Sequence, residues 1–283
     1  MIGSESVFQR AIVGVDGRQG GRDAVRLASM LVGAGGQITL VHVRGRIYDE
    51  HDVSASERTL AREAAASGLE LDTVSIADPF VGRALNRAVE KRGADVLVLG
   101  SCGRGPIGRV LIGDDSRRVL SDARCAVALA PHGYAPAHHE IATIGVGYVQ
   151  TCSGEAALKL ARVMATERAA KIRALTATNF RGRSEPDLVR ERRQRAQERL
   201  NALGGVEGEA VPGSVEEQLV RFSEVVDLLV IGSTARSFSR EVVDGASASR
   251  LARRSRCPLL IAPPVAEQRR EQSADMAGAY ALA

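Results

Sequence analysis

The feature that most constrains this chain is that it is written twice. Asp95-Val-Leu-Val-Leu-Gly-Ser101 reappears as Asp227-Leu-Leu-Val-Ile-Gly-Ser233, and Arg124-Cys-Ala-Val-Ala-Leu-Ala-Pro131 as Arg256-Cys-Pro-Leu-Leu-Ile-Ala-Pro263, both at an offset of 132 without a gap. Near the start, Ala11-Ile-Val-Gly-Val15 aligns with Ala142-Thr-Ile-Gly-Val146 at an offset of 131, so the halves correspond from first apolar run to last. Self-similarity over so long a period means two copies of one folding unit. With 283 residues in all, each copy is long enough to bury a core of its own.

Within each half, short apolar runs alternate with longer stretches of helical periodicity, the pattern of βαβ units around a parallel sheet. In the first half, strands are expected at 11–15, 37–43, 71–76, 95–99 and 126–130. Helices are expected at 21–32, 54–66, 81–92 and 116–122, with Gly33, Gly68 and Gly93 as terminators. The second half repeats the strands at 142–146, 171–176, 209–211, 228–231 and 259–262. The fold class is therefore α/β, each unit a five-stranded parallel sheet flanked by helices. Boundaries are expected at 1–136 and 137–265, followed by a tail at 266–283.

Composition removes several functions. Aromatic residues make up 3% and there is no Trp, so Phe80, Phe180, Phe222 and Phe238 are among the few platforms on which single-stranded nucleic acid could stack. No nucleic-acid partner is expected. The run Arg190-Glu-Arg-Arg-Gln-Arg-Ala-Gln-Glu-Arg199 reads as a solvated helix face of alternating sign. The formal charge of +4 names no partner by itself. No segment approaches the roughly 18 apolar residues of a membrane span, and the first ten residues have no signal-peptide core, so a cytoplasmic protein is expected. Cys102, Cys125, Cys152 and Cys257 have no metal-type or redox-type spacing. His138-His139 falls in a linker rich in Pro, Ala and His.

In open parallel sheets, ligands sit beyond the carboxyl ends of the strands where the strand order reverses. Strand one ends at Val15-Asp16-Gly17 and strand four runs into a loop with glycines at 100, 103, 105, 108 and 113 before a helix at Ser116. Such a loop allows close backbone approach and delivers free helical N–H groups to a phosphate. It is neither a Walker loop nor a dinucleotide fingerprint, because GxxxxGK[ST] is absent and the glycines follow the fourth strand rather than the first.

These residues resemble the universal stress proteins, whose nucleotide-binding members carry Gly-x-x-Gly, nine residues, then Gly-Ser/Thr. Gly100, Gly103 and Gly113 reproduce that spacing, as do Val15-Asp16-Gly17, the pair His42-Val43 and the last strand after Cys125. The resemblance covers residues 8–132 and 140–264 and implies tandem flavodoxin-like (HUP-type) domains, ATP as ligand and a role in stress response. By the same resemblance, Asp16 meets the adenine or ribose end, the Val43 backbone reads the adenine edge, and Gly100, Gly103 and Gly113 pass the phosphates. Ser116 either faces the phosphates or starts the last helix as an N-cap.

The departures matter equally. Asp114, followed by Asp115, stands where the family has Ser or Thr. Two carboxylates there repel a triphosphate unless Mg²⁺ bridges them or Arg104 and Arg109 offset them, or Asp114 caps the helix with its side chain turned away. In the second half, Gly147 is aligned with the strand-one Asp. Ala235 replaces a motif glycine, Ala246 and Ala248 occupy the hydroxyl positions, and Asp244 adds a negative charge. That half reads as degenerate and kept for pairing with the first, a dimer in one polypeptide, with a further homodimer left open. Three functions follow: a nucleotide-responsive binding protein, a weak Mg-dependent ATPase, and a nucleotide-free scaffold. The first is preferred, because no His, Lys or Glu is placed by sequence as a catalytic base.

Overall fold

A computed structural model of the chain describes residues 6–45, 50–101, 123–135, 140–178, 186–233, 251 and 254–263. In the first half, β1 (Arg10–Gly14), α1 (Gln19–Leu31), β2 (Gln37–Arg44), α2 (Glu50–Ser67), β3 (Asp72–Ala77), α3 (Val81–Arg92), β4 (Val96–Gly100) and β5 (Ala126–Ala130) follow in turn. The second half contributes β6 (Thr143–Gly147), α4 (Cys152–Arg168), β7 (Lys171–Thr178), α5 (Pro186–Asn201), β8 (Glu207–Pro212), α6 (Val215–Phe222), β9 (Leu228–Gly232) and β10 (Leu259–Ala262). The strands stand within a few residues of their predicted places. Gly68 and Gly93 have φ of 66° and 58°, as helix terminators do, whereas α1 ends on an extended Val32 and Gly33 has no left-handed φ. The expected helix at 116–122 and the tail at 266–283 lie outside the described residues.

The ten strands among the described residues form one sheet in the order β3-β2-β1-β4-β5-β10-β9-β6-β7-β8. Each half is parallel and runs 3-2-1-4-5. The halves meet antiparallel at β5 and β10, with Leu259, Leu260 and Ile261 opposite Leu129, Ala128 and Val127. The central strands are apolar throughout because they are covered on both faces, and β5 is buried at every position. Two apolar layers result, and each crosses the seam. One contains Leu27, Leu31 and Val98 together with Ile144, Met164 and Leu260. The other contains Leu97 and Leu129 together with Leu229 and Leu259.

Polar contacts add to the seam. Arg168, in the last turn of α4, donates from Nη2 to the carbonyls of Met30 and Leu31 at 2.9 and 3.0 Å, supplying α1 with the C-terminal cation its own last turn lacks. Its neighbour Glu167 accepts from the Val7 N–H at 2.5 Å and from Ser6 Oγ at 3.2 Å. The buried carboxylate of Asp23 on α1 accepts from the N–H groups of Gly133 and Ala135 at 2.9 and 2.8 Å. Those two bonds fix the path of the chain as it leaves β5.

The register corrects the sequence alignment of the first strand. Gly14 stands opposite Leu99, and Gly147 stands opposite Ile231, the repeat equivalent of Leu99. Asp95 accepts from the N–H groups of Gln9 and Arg10, and Asp227 from those of Ala142 and Thr143. The offset there is thus 133, Gly14 to Gly147, and not 131. The apolar alternation that aligned the two segments is unchanged by a shift of two, because strand side chains repeat with period two.

Candidate functional site

Within the first half, the chain proceeds from β1 outward to β2 and β3, then crosses back to β4, so the strand order reverses between β1 and β4. Asp16, Val43 and Gly100 stand at the carboxyl ends of the three adjacent strands β1, β2 and β4, and the structure therefore brings them to one edge. Gly103, Gly113, Asp114 and Ser116 lie outside the described residues, as do Asp115, Arg104 and Arg109.

Asp16 immediately follows the buried Val15, and its side chain is 61% exposed. One carboxylate oxygen accepts from the Arg18 N–H at 3.0 Å and so shapes the turn into α1. Gly17 has φ of 76°, and Arg62 of α2 donates to its carbonyl at 3.0 Å. A Cβ at Gly17 would lie 2.8 Å from Arg62 Nη2, the movable end of an exposed side chain, so it is the left-handed conformation that favours glycine at this turn.

Val43 belongs to the part of β2 that outruns β1. The β1–β2 ladder ends with Gly14 opposite Val41, and the Val15 N–H bonds the Val41 carbonyl at 3.0 Å, while the Arg44 carbonyl turns the other way to accept from Asp78 N–H. Backbone direction alternates along a strand, so the N–H and C=O of Val43 point to the β1 side, over the place where β1 has turned away. A donor and an acceptor spaced as in a strand edge suit the hydrogen-bonding edge of a heterocycle. The Val43 side chain packs, as do those of Ile76 and Val81, against the apolar layer below.

Gly100 admits no side chain. A Cβ there would lie 1.7 Å from the Gly20 carbonyl oxygen, because the first turn of α1 rests on the end of β4. Ser101 follows, 2% exposed, and its hydroxyl has no hydrogen-bond partner among the described residues. The paired glycines Gly20-Gly21 inside a helix start were the sequence signal for this close approach, because glycine there weakens the helix unless space demands it.

Sequence reasoning also passed over a polar chain behind the site. His42 Nδ1 lies 2.8 Å from Ser56 Oγ, which lies 2.7 Å from Ser75 Oγ, and Ser56 is fully buried. Burial lowers the His42 pKa, partly offset by the charge of Asp16, so the ring is neutral at neutral pH. Cys125 and Cys257 are buried thiols, pushed by burial to about 11 and about 12, which makes them core residues and not nucleophiles. Among the described residues, no group of three or more His, Cys, Asp or Glu side chains could hold a metal ion.

The second half presents a different edge. Tyr148 takes the place of Val15, its N–H bonding the Leu175 carbonyl at 2.9 Å. Its hydroxyl donates to Glu155. The residue at the position of Asp16 is consequently Val149, 58% exposed, and Gly147 is the counterpart of Gly14. Loss of the carboxylate stands, but by a different residue from the one the sequence alignment named.

Among the described residues, no helix is long and apolar enough to cross a membrane. The model of the universal stress protein family matches the chain twice, over residues 8–131 and 140–263. The chain is similar in structure to a universal stress protein from Archaeoglobus fulgidus DSM 4304, with a TM-score of 0.64 and 16% identity over 93% of this chain and 99% of that one. It is also similar to a putative universal stress protein from Pseudomonas aeruginosa UCBPP-PA14, with a TM-score of 0.65 and 15% identity over 91% and 94% of the two chains. A universal stress protein in complex with cAMP matches 45% of this chain over 100% of its own length, at 22% identity and a TM-score of 0.36. With the family model spanning both halves and the fold shared along the length of two-repeat structures, the chain belongs to the universal stress protein family in its tandem form.

Proposed function

We propose that the chain is an adenine-nucleotide-binding regulator of the stress response, acting in the cytoplasm, whose first repeat holds ATP and whose second repeat does not. The observation that carries this reading is the contrast at one structural position, an exposed Asp16 in the first half and an exposed Val149 in the second. Asp16 would accept from a ribose hydroxyl, the Val43 backbone would read the adenine edge, and the glycines from Gly100 onward would pass the phosphates. Gly103, Gly113 and Ser116 would line that path. Mg²⁺ would reconcile the triphosphate with Asp114 and Asp115. Residues 1–136 would be the nucleotide domain, 137–265 its partner and 266–283 an appended tail. The antiparallel β5–β10 junction supports a dimer-like pairing within one polypeptide. No turnover is required for a switch of this kind, since binding alone can order the glycine loop and alter the surface.

Thermal melting with and without millimolar Mg-ATP, Mg-ADP and cyclic AMP tests this. Ligand at a hundred times its Kd stabilises the folded state by about 2.7 kcal/mol. ATP should raise the melting temperature of the native chain by several degrees and leave Asp16→Ala unmoved. No shift with any of the three ligands would favour the nucleotide-free scaffold.

A further inference from the structure

Of the phenylalanines among the described residues, Phe8 and Phe222 are buried at 3% and 6%, whereas Phe80 is 47% exposed. A half-exposed aromatic ring can offer a face on which a planar group stacks. Phe80 is held firmly for a surface residue. Its N–H donates to Asp78 Oδ1 at 2.8 Å, and its carbonyl accepts from the Ala84 N–H at 3.1 Å as α3 begins. Arg83 lies over the ring at 4.7 Å from the centroid. Asp78, with its side chain 6% exposed, grips that guanidinium through two bonds at 3.0 and 2.7 Å. Asp78 is tied in turn to β2 by its N–H bond to the Arg44 carbonyl at 3.1 Å.

This assembly stands at the carboxyl edge that carries Val43. Val43 stands opposite Ile76 and Arg44 opposite Ala77 in the β2–β3 ladder, so Phe80, three residues after Ala77, follows the end of β3 at that same edge. No acidic residue lies in the first turn of α3.

The second repeat supplies an internal comparison. There the Gly213 N–H bonds the Thr178 carbonyl as Asp78 N–H bonds that of Arg44, so Gly213 replaces Asp78. Ser214 is the N-cap of α6 where Phe80 is the N-cap of α3, and Glu216 and Glu217 occupy the first turn, Glu217 in the place of Arg83. The half with Asp16 has the aromatic, the arginine and the carboxylate that fixes it. The half with Val149 has none of the three.

We propose that Phe80, backed by Arg83 and Asp78, is the stacking platform for the heterocyclic base of the nucleotide held by the first repeat. The inference rests on the nucleotide reading above and deepens it by naming the residue that recognises the base. Stacking acts on the base and not on the phosphates, and the loss of one such contact corresponds to a roughly 5- to 150-fold weaker Kd.

The test is calorimetric titration of the full chain, wild type, Phe80→Ala and Phe80→Trp, with Mg-ATP and separately with inorganic tripolyphosphate. Phe80→Ala should weaken ATP by at least about fivefold, Phe80→Trp should restore it, and tripolyphosphate should bind all three alike. Ligand-free melting should change little, because the ring is half exposed. ATP affinity unchanged in Phe80→Ala, while Asp16→Ala abolishes it, would overturn the platform and leave the nucleotide site standing. Equal loss of ATP and tripolyphosphate would also overturn it, because the ring would then act through the fold. A wild-type chain that binds no ATP would overturn both readings.

Discussion

Replacing Gly100 by alanine tests directly how the end of β4 is joined to α1. Gly100 has no left-handed φ, so alanine meets no conformational strain there, and the whole cost is steric. The added Cβ would lie 1.7 Å from the Gly20 oxygen, 2.3 Å from its carbonyl carbon and 2.7 Å from its Cα. All three are backbone atoms, so no rotamer relieves the clash. The gap must open by more than an ångström before the nearest atom reaches 3.0 Å, which means moving the first turn of α1 off the sheet. Overpacking of this sort costs about 3 kcal/mol or more, at the upper end of its usual range. At about 2–4 °C per kcal/mol for a chain of this size, the melting temperature should fall by about 6–12 °C. Gly35→Ala is the control, since Gly35 has φ of 81° but nothing within 4 Å of the new Cβ. It should cost about 1 kcal/mol from conformation alone. Calorimetric or fluorescence melts of the two variants decide the matter. A Gly100→Ala protein melting within about 1 °C of wild type would refute the close approach as described. The same contact recurs in the second repeat, where a Cβ on Gly232 would lie 2.2 Å from the Ser153 oxygen.

Two further outcomes follow from contacts away from the ligand edge. Arg168→Met removes both bonds to the α1 carbonyls while keeping the aliphatic stem, and it should cost about 2 kcal/mol, read as a melt lowered by roughly 4–8 °C. An unchanged melt would mean the arginine adds nothing to the seam. Asp78 is held below its ordinary 3.8 first by its bonds to the Arg83 guanidinium and then by the Phe80 N–H. A depressed folded pKa contributes stability that is present above pH 3.8 and lost as the pH falls through the folded value. The difference in melting temperature between wild type and Asp78→Asn should therefore be constant near neutrality and close on acidification below about pH 4. A difference that widens on acidification would contradict the assignment.

The legible part of this protein was its repeat and its periodicity. Apolar runs such as Val96–Gly100 and Ala126–Ala130 announced buried parallel strands, and the matching pairs around Asp95 and Asp227 announced two copies. That Asp16, Val43 and Gly100 fall at the carboxyl edge of three adjacent strands was legible because strand ends can be placed from the apolar runs that precede them. Three things were not legible, each for a physical reason. The register of β6 was two residues out because period-two alternation cannot distinguish that shift, and only the Asp227 carboxylate bonding Ala142 and Thr143 fixes it. The burial of Ser101, whose hydroxyl has no partner among the described residues, is a property that no local sequence records. Phe80 is named in sequence only as one of four phenylalanines on which a base could stack, with nothing to set it apart from Phe222, which the fold buries. The setting of Phe80 includes Asp78 holding Arg83 across the ring, a contact between side chains five residues apart that begins outside the helix.

The proposed function is an asymmetry, with an adenine nucleotide bound by the first repeat and none by the second. Calorimetric titration of the purified chain with Mg-ATP measures it most directly, because it returns stoichiometry along with affinity. The account predicts one nucleotide per chain in the wild type and none in Asp16→Ala. Two nucleotides per chain, or one retained after Asp16→Ala, would contradict it.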